Sequence, residues 1–195
     1  MQFAELLRKH LAGILGVTEA QIEALTKHYA LLEQWNQRLN LTAIRNMEDA
    51  VIRHYCESLF FACHLLEAGS ILDLGSGAGF PGIPMAIWRP EWRITLAESH
   101  QRKAVFLREA SRTAANVRVL AKRAEDVAER FDWVISRAVS YEDLLPYLQK
   151  LAPNAELLSG GEAPPQGMGF LWAPAVLLPW GDQRFLWTGH VLNSA

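Results

Sequence analysis

Residues Ile71 to Gly82 read ILDLGSGAGFPG: an apolar run, one aspartate, three glycines at alternating positions, then a proline and a fourth glycine. An apolar run that ends in a glycine turn and feeds a helix places bare backbone amides at the carboxyl edge of a sheet, where open α/β sheets bind ligands. Gly77 to Gly82 matches G-x-G-x-x-G, which raises a dinucleotide site. The register argues against it. The strand ends at Leu74, so the first matching glycine comes about two residues late, and Pro81 removes an amide from the helix entry that would face a pyrophosphate. The pattern Asp73-x-Gly75-x-Gly77-x-Gly79 suits instead an adenosine ligand whose cationic ammonium meets acid while methionine-like carbons cross bare backbone.

Outward from this stretch, short apolar runs alternate with helical ones, the grammar of a parallel sheet covered by helices. Strands are expected at Ile71–Leu74, Arg93–Ala97, Val117–Leu120 and Trp133–Ser136, and helices at Gly82–Trp88, His100–Ala115, Ala124–Ala128 and Tyr141–Leu151. Beyond Pro153 the pattern predicts a strand at Ala155–Leu158, a loop rich in glycine and proline at 159–169, and a hairpin over Phe170–Val191. Glu98 follows the second strand, an acid placed to accept from both ribose hydroxyls. Arg123 to Asp126 offers amides and carboxylates near an adenine edge. Each has a bland reading: Glu98 as a loop surface residue, Glu125 and Asp126 as favourable charges at a helix start. Asp73 resists one, since a carboxylate on a buried strand is costly without a partner.

The first seventy residues carry helical periodicity instead. Leu6, Leu7, His10, Leu11 and Ile14 form one stripe, ending at Gly16. Ile22, Leu25, Tyr29, Leu32 and Trp35 form a second behind a Thr18 cap, and Val51, Tyr55, Leu59 and Ala62 a third behind an Asn46 cap. The chain has 195 residues, half of them apolar, and a formal charge of −2. Any nucleic-acid contact must therefore use a local basic face. Two cysteines, no signal-like start and no long apolar run predict a reduced, soluble, cytoplasmic protein. Cys56 and Cys63 stand about two helical turns apart, beyond disulfide reach. Together with His54 and His64 they lack paired ligand spacing, so no metal is expected.

Four stretches together resemble the bacterial 16S small-subunit ribosomal RNA methyltransferases that act on guanine N7, the glucose-inhibited division protein B (GidB) family. They are Trp35-Asn36 with Leu39-Asn40-Leu41-Thr42-Ala43-Ile44-Arg45, then Arg53-His54 with Ser58, then Asp73 to Pro84, and Val134-Ile135-Ser136-Arg137-Ala138. The resemblance runs from about residue 20 to about residue 150. It implies a class I S-adenosylmethionine-dependent methyltransferase: an α/β, Rossmann-like, mostly parallel seven-stranded sheet with its last strand antiparallel. A helical extension over 1–66 would pack on a core over 67–195, with a mobile loop at 159–169. Carried over by position, cofactor contacts fall on Gly75, Phe80, Glu98, Ala124, Glu125 and Arg137, joining Asp73, Gly77 and Gly79 of the glycine pattern. Asn40, Arg45, Arg53, His54 and Ser58 would form an RNA-side or active-site face.

Guanine N7 is already a lone-pair acceptor, so attack on a sulfonium methyl needs no proton removed. Catalysis would rest on alignment in a water-poor pocket, shaped by Arg137 and Asn40, without a general base. The RNA side would draw on basic residues. Arg102 and Lys103 lie nearest the cofactor edge and Arg38 belongs to the N-terminal element, while Arg108 and Arg112 read as an ordinary solvated face. The substrate implied is 16S RNA in an assembled or partly assembled small subunit, met by a monomer. The C-terminal part departs from the family: after the fifth strand stands Leu157-Leu158-Ser159-Gly160-Gly161, where a lysine-glycine pair is usual. Gly181 to Leu186 keeps the family's turn, with Arg184 a retained RNA contact. The missing lysine leaves one alternative, an S-adenosylmethionine-binding, RNA-associated protein with reduced or lost transferase activity. A nicotinamide oxidoreductase would need a hydride-transfer residue and a substrate domain, neither of which is seen.

Overall fold

The computed structural model describes residues 1–65, 68–166, 169–181 and 183–192. Five strands run parallel in the order β3-β2-β1-β4-β5. They are β1 (Ser70–Leu74), β2 (Arg93–Ala97), β3 (Val117–Leu120), β4 (Trp133–Arg137) and β5 (Asn154–Ser159). β8 (Phe185–Val191) pairs antiparallel with β5, and β6 (Phe170–Trp172) and β7 (Val176–Leu177) both pair antiparallel with β8 along its other edge. Trp172 faces Gly189 and Val176 faces Leu186, so four steps on one side oppose three on the other. That one-residue excess is a β-bulge. It falls where Pro174 has no N–H to give, so β6 and β7 are one broken edge strand and the sheet has the seven rows expected. Of the loop at 159–169, Gly167 and Met168 lie outside the described residues, as does Asp182 of the retained turn.

The pleat sorts the core into two layers, because alternate residues of a strand face opposite sides. Ile71, Ile94, Leu96, Trp133, Ile135 and Leu158 pack with the N-terminal helices, with α5 (Gly82–Trp88) and with α6 (Gln101–Ala110). Leu72, Leu74, Ala97, Val134, Ala155 and Leu157 pack with α7 (Tyr141–Leu151). By the same alternation Asp73 and Arg137 belong to the layer of the N-terminal helices. Two expected helices are shorter than predicted. α6 gives way at Ser111 to a single 3-10 turn, where the Ser111 hydroxyl bonds back to the Leu107 carbonyl and competes with the helical ladder. The stretch at Ala124 is one 3-10 turn, Ala124–Asp126, with extended backbone on either side.

The N-terminal region holds α1 (Phe3–Leu11), α2 (Glu19–Leu39), α3 (Met47–Ala50), a π-helical turn (Val51–Cys56) and α4 (Glu57–Ala62). α1 ends before Ile14, which is 37% exposed, because Gly13 takes a left-handed φ of 75° that stops the helix. Thr18 and Asn46 cap as expected, accepting from the amides of Gln21 and Asp49. The expected third stripe is fully buried, yet His54, Glu57 and Ser58 on the same element are buried too. The π turn widens the inward face beyond what a regular helix gives. Cys56 and Cys63 are free thiols, the former buried and the latter exposed. Among the described residues no helix is long and apolar enough to cross a membrane.

Candidate active site

β1 stops at Leu74 because the chain turns left-handed at Gly75, with φ 75°. The amides of Gly75 and Ser76 both donate to the Ala97 carbonyl at the end of β2, at 3.0 and 3.1 Å. A Cβ on Gly75 would stand 2.6 Å from Cγ2 of Val139. The turn thus requires glycine both for its conformation and for the approach of the chain leaving β4. Glu98 ties the loop to the next helix: its carboxylate accepts from the Gly77 amide at 3.0 Å and from the His100 amide at 2.7 Å.

Between these segments and α7 lies a cleft of about 460 Å³. Gly75, Glu98, Ala124 and Glu125 line it, which brings together four residues expected to hold a cofactor from three separate strand ends. The cleft sits at the carboxyl edge beside the reversal of strand order between β1 and β4, where doubly wound sheets hold nucleotides. Its donor set fits an adenosine group. Glu98 is 8% exposed and retains lone pairs for a ribose diol. The first amides of the Ala124–Asp126 turn have no partner within the turn. Val139 and Tyr147 also line the cleft and carried no motif; only the pairing of β4 with β1 puts them there.

Asp73 lies beneath the loop. It is 0% exposed, and its Oδ2 accepts from the Gly82 amide at 3.0 Å, while Oδ1 has no hydrogen-bond partner. The expectation that it meets a ligand's ammonium directly is therefore revised: its carboxylate fastens the start of α5. Burial pushes the Asp73 carboxyl up to about 7, against the opposing pull of the Gly82 amide, Ser76 and Arg137. A carboxyl raised in the folded state favours folding below its unfolded pKa, and that contribution is lost as pH rises through the folded value. Asp73→Asn keeps the acceptor for Gly82 and removes the charge. In thermal unfolding, the variant's Tm should match the wild type near about pH 4 and rise above it by about pH 8; a constant offset at all pH values would contradict this account.

A second cluster lies on the other face of the sheet, under the N-terminal helices. Arg137 reaches from the end of β4 to the His54 Nδ1 at 2.8 Å, to the Arg53 carbonyl and to Glu57 at 3.7 Å, with its guanidinium 5.6 Å from the centre of the Phe80 ring. Phe80 stacks on His54 at 4.4 Å and 12°. A guanidinium can only donate, so Nδ1 of His54 accepts and its Nε2–H points to the Thr42 Oγ1 at 2.8 Å. Asn36 in turn grips both backbone groups of Thr42, each at 3.0 Å. Burial, followed by the positive charge of Arg137, pushes His54 down to about 3. Its only free lone pair is occupied, so it has no capacity to act as a base. Burial also lowers Arg137, to about 10, which leaves it charged at neutral pH.

These contacts alter several expectations. His54 and Ser58 are 4% and 1% exposed, and the Ser58 hydroxyl donates to the His54 carbonyl. Neither presents itself to RNA: His54 holds Arg137 from within, and Ser58 bonds the backbone of His54. Arg184 pairs with Glu57 through Nε at 3.1 Å, so much of its guanidinium faces inward. Phe80 and Arg137 stand behind the glycine loop, and neither is among the cleft's lining residues. Asn40 is exposed at the end of α2 with φ 46°, and no hydrogen bond joins it to Arg137 among the described residues. Arg45, Arg53 and Arg102 are exposed, Lys103 is half-buried, and none has a carboxylate partner there. No metal-binding group of three or more candidate side chains occurs among the described residues.

The strand order, the reversed β8 and the cleft at the β1 edge define the fold of the class I S-adenosylmethionine-dependent methyltransferases. The structure is similar to a crystal structure of an S-adenosylmethionine-dependent methyltransferase from Aquifex aeolicus (TM-score 0.59, 15% identity, 74% of this chain and 93% of that one). It is also similar to a predicted O-methyltransferase from Agrobacterium tumefaciens (TM-score 0.56, 22% identity, 70% and 81%). The sequence goes further. Residues 21–159 match the GidB family model, rRNA small subunit methyltransferase G, and the chain belongs to that family. Curated relatives named ribosomal RNA small subunit methyltransferase G include those of Chromobacterium violaceum, 42% identical over 139 residues (69% of this chain, 66% of the relative), and Dichelobacter nodosus, 45% over 141 (70% and 67%). That of Alkaliphilus oremlandii is 35% identical over 158 residues (74% and 65%). The chain spans about two thirds of the length of these relatives.

Proposed function

We propose that the protein transfers a methyl group from S-adenosylmethionine to N7 of a specific guanine in 16S small-subunit ribosomal RNA. The observation that carries this reading is the cleft that gathers Gly75, Glu98, Ala124 and Glu125 at the β1 edge of a chain in this family. S-adenosylmethionine supplies an electrophilic sulfonium methyl. Glu98 holds the ribose hydroxyls, the Ala124–Glu125 turn meets the adenine edge, and Gly75, Gly77 and Gly79 offer bare backbone to the methionine part. Asp73 and Phe80 support that loop from below. Guanine N7 needs no deprotonation, and a neutral His54 with both ring nitrogens engaged agrees with a site that has no base. Arg137 and Asn40 act by positioning, with S-adenosylhomocysteine as the spent cofactor.

Arg45, Arg53, Arg102 and Lys103 meet RNA phosphates. The substrate is a small subunit assembled or partly assembled in the cytoplasm, and the enzyme acts as a monomer. The helices of 1–66 belong functionally to the core of 67–195, since Asn36, Thr42, His54 and Glu57 hold or brace Arg137. The test is transfer of labelled methyl from S-adenosylmethionine to undermethylated small subunits, with the modified base identified by mass spectrometry. One labelled N7-methylguanine is the expected result. Cofactor binding without transfer would mean a protein that retains the cofactor and has lost the reaction.

A further inference from the structure

We propose that the groove between the last turns of α2 and the first turns of α6 holds an unpaired nucleotide of the RNA strand that enters the active site. The proposal rests on the RNA methyltransferase reading above and adds a binding surface to it. The groove measures about 440 Å³ and is lined by Gln34, Trp35, Arg38, Leu39, Arg102 and Val105. Its floor is apolar: Trp35 and Leu39 are half-buried and Val105 is 50% exposed. Trp35 is braced from behind by Phe106, ring centres 5.8 Å apart at 61°, which fixes its indole as a platform.

Two guanidiniums flank that floor, Arg38 and Arg102. Both are exposed and neither has a carboxylate partner among the described residues. The other arginine in the body of α6, Arg108, lies outside the groove, and Arg112 just beyond the helix pairs with Glu109 at 2.9 Å. A flat aromatic and aliphatic floor between two unpaired cations matches a base flanked by phosphates. Single-stranded nucleic acid is bound in this way, by stacking on an aromatic side chain and by contacts along the backbone. In a chain of net charge −2 such a local pair of cations is what an RNA contact requires. The position is also right. Arg102 stands in the first turn of α6, four residues after Glu98, whose carboxylate fastens both the glycine loop and the His100 amide. The groove therefore opens at the same sheet edge as the cofactor cleft.

The test compares Arg38→Ala/Arg102→Ala with Arg108→Ala/Arg112→Ala, which removes equal charge from outside the groove. Affinity for a short fluorescent single-stranded RNA is followed by anisotropy across a salt series, with S-adenosylmethionine affinity measured in parallel. The groove variant should lose at least ~10-fold in RNA affinity, and its salt slope should fall by about 1.4 for two phosphate contacts. Its cofactor affinity should stay within about twofold, and the control pair should bind RNA like the wild type. Trp35→Leu, which keeps an apolar side chain, should weaken RNA binding and leave the salt slope unchanged. Equal losses in both arginine pairs, or no loss in the groove pair, would overturn the proposal, as would loss of a ribosomal protein contact with RNA affinity intact. The methylation reading fails separately: a wild type that binds the RNA through the groove and transfers no methyl keeps the groove and removes the reaction.

Discussion

Arg137→Ala should cut the single-turnover rate of methyl transfer by ~100-fold or more while the protein remains folded, an effect of the size seen when one positioned polar group is removed from an active site. The fold tolerates the change because Glu57 keeps Arg184 as its counter-ion, so no buried carboxylate is stranded. What is lost is the restraint on three neighbours: the Phe80 face, the Arg53 carbonyl and the His54 Nδ1. A spectroscopic readout separates this from general loosening. Arg137 is the largest charged contributor to the depression of His54 after burial, so its removal should raise the histidine's titration point in NMR. Arg137→Lys retains the charge and loses the planar fork of donors, and should restore the titration point more fully than the rate. A variant that transfers methyl at the wild-type rate would remove Arg137 from the mechanism.

The second large effect is expected at Gly75. An alanine there meets a left-handed φ of 75°, which costs a non-glycine residue about 1–2 kcal/mol, and places its Cβ 2.6 Å from Val139. Relief requires the turn or the Val139 side chain to move, and both line the cleft. Calorimetry should find S-adenosylmethionine bound ~100-fold more weakly, about 2.7 kcal/mol. Gly77→Ala is the internal comparison. Its φ is 57°, but the added Cβ would meet nothing closer than the Gly75 carbonyl at 3.8 Å. Only the backbone term remains, worth ~10-fold. If both variants bind alike, crowding against Val139 has no part in shaping the cleft.

The central features of the core were legible because they are local. Apolar runs of four or five residues closed by glycine or by polar residues gave β1 to β4, and Gly75 and Glu98, picked out by their places after β1 and β2, do line the cleft at the sheet edge. The departures have a common cause in contacts between distant segments. Nothing in Val51 to Cys56 distinguishes a π turn from a regular helix; the wider turn is matched by inward contacts of His54 and Glu57 with Arg137 and Arg184, which lie more than eighty residues away. His54 and Ser58 read as surface candidates for the same reason, since the groups that bury them are invisible from their own helix. Strand alternation in Trp133 to Arg137 shows that Arg137 shares a face with Ile135. It does not say that this face is the one covered by the N-terminal helices, opposite Val139 and the cleft.

The interruption between β6 and β7 has a consequence for how the molecule behaves in company. An open strand margin offers a row of amides and carbonyls to any extended chain that drifts past, and a continuous one invites stacking into aggregates. Here the extra residue and Pro174 break that row between Trp172 and Val176, leaving two stubs of three and two residues. Neither is long enough to recruit a foreign strand, so the exposed Leu171 and Leu177 sit on a margin that cannot template growth.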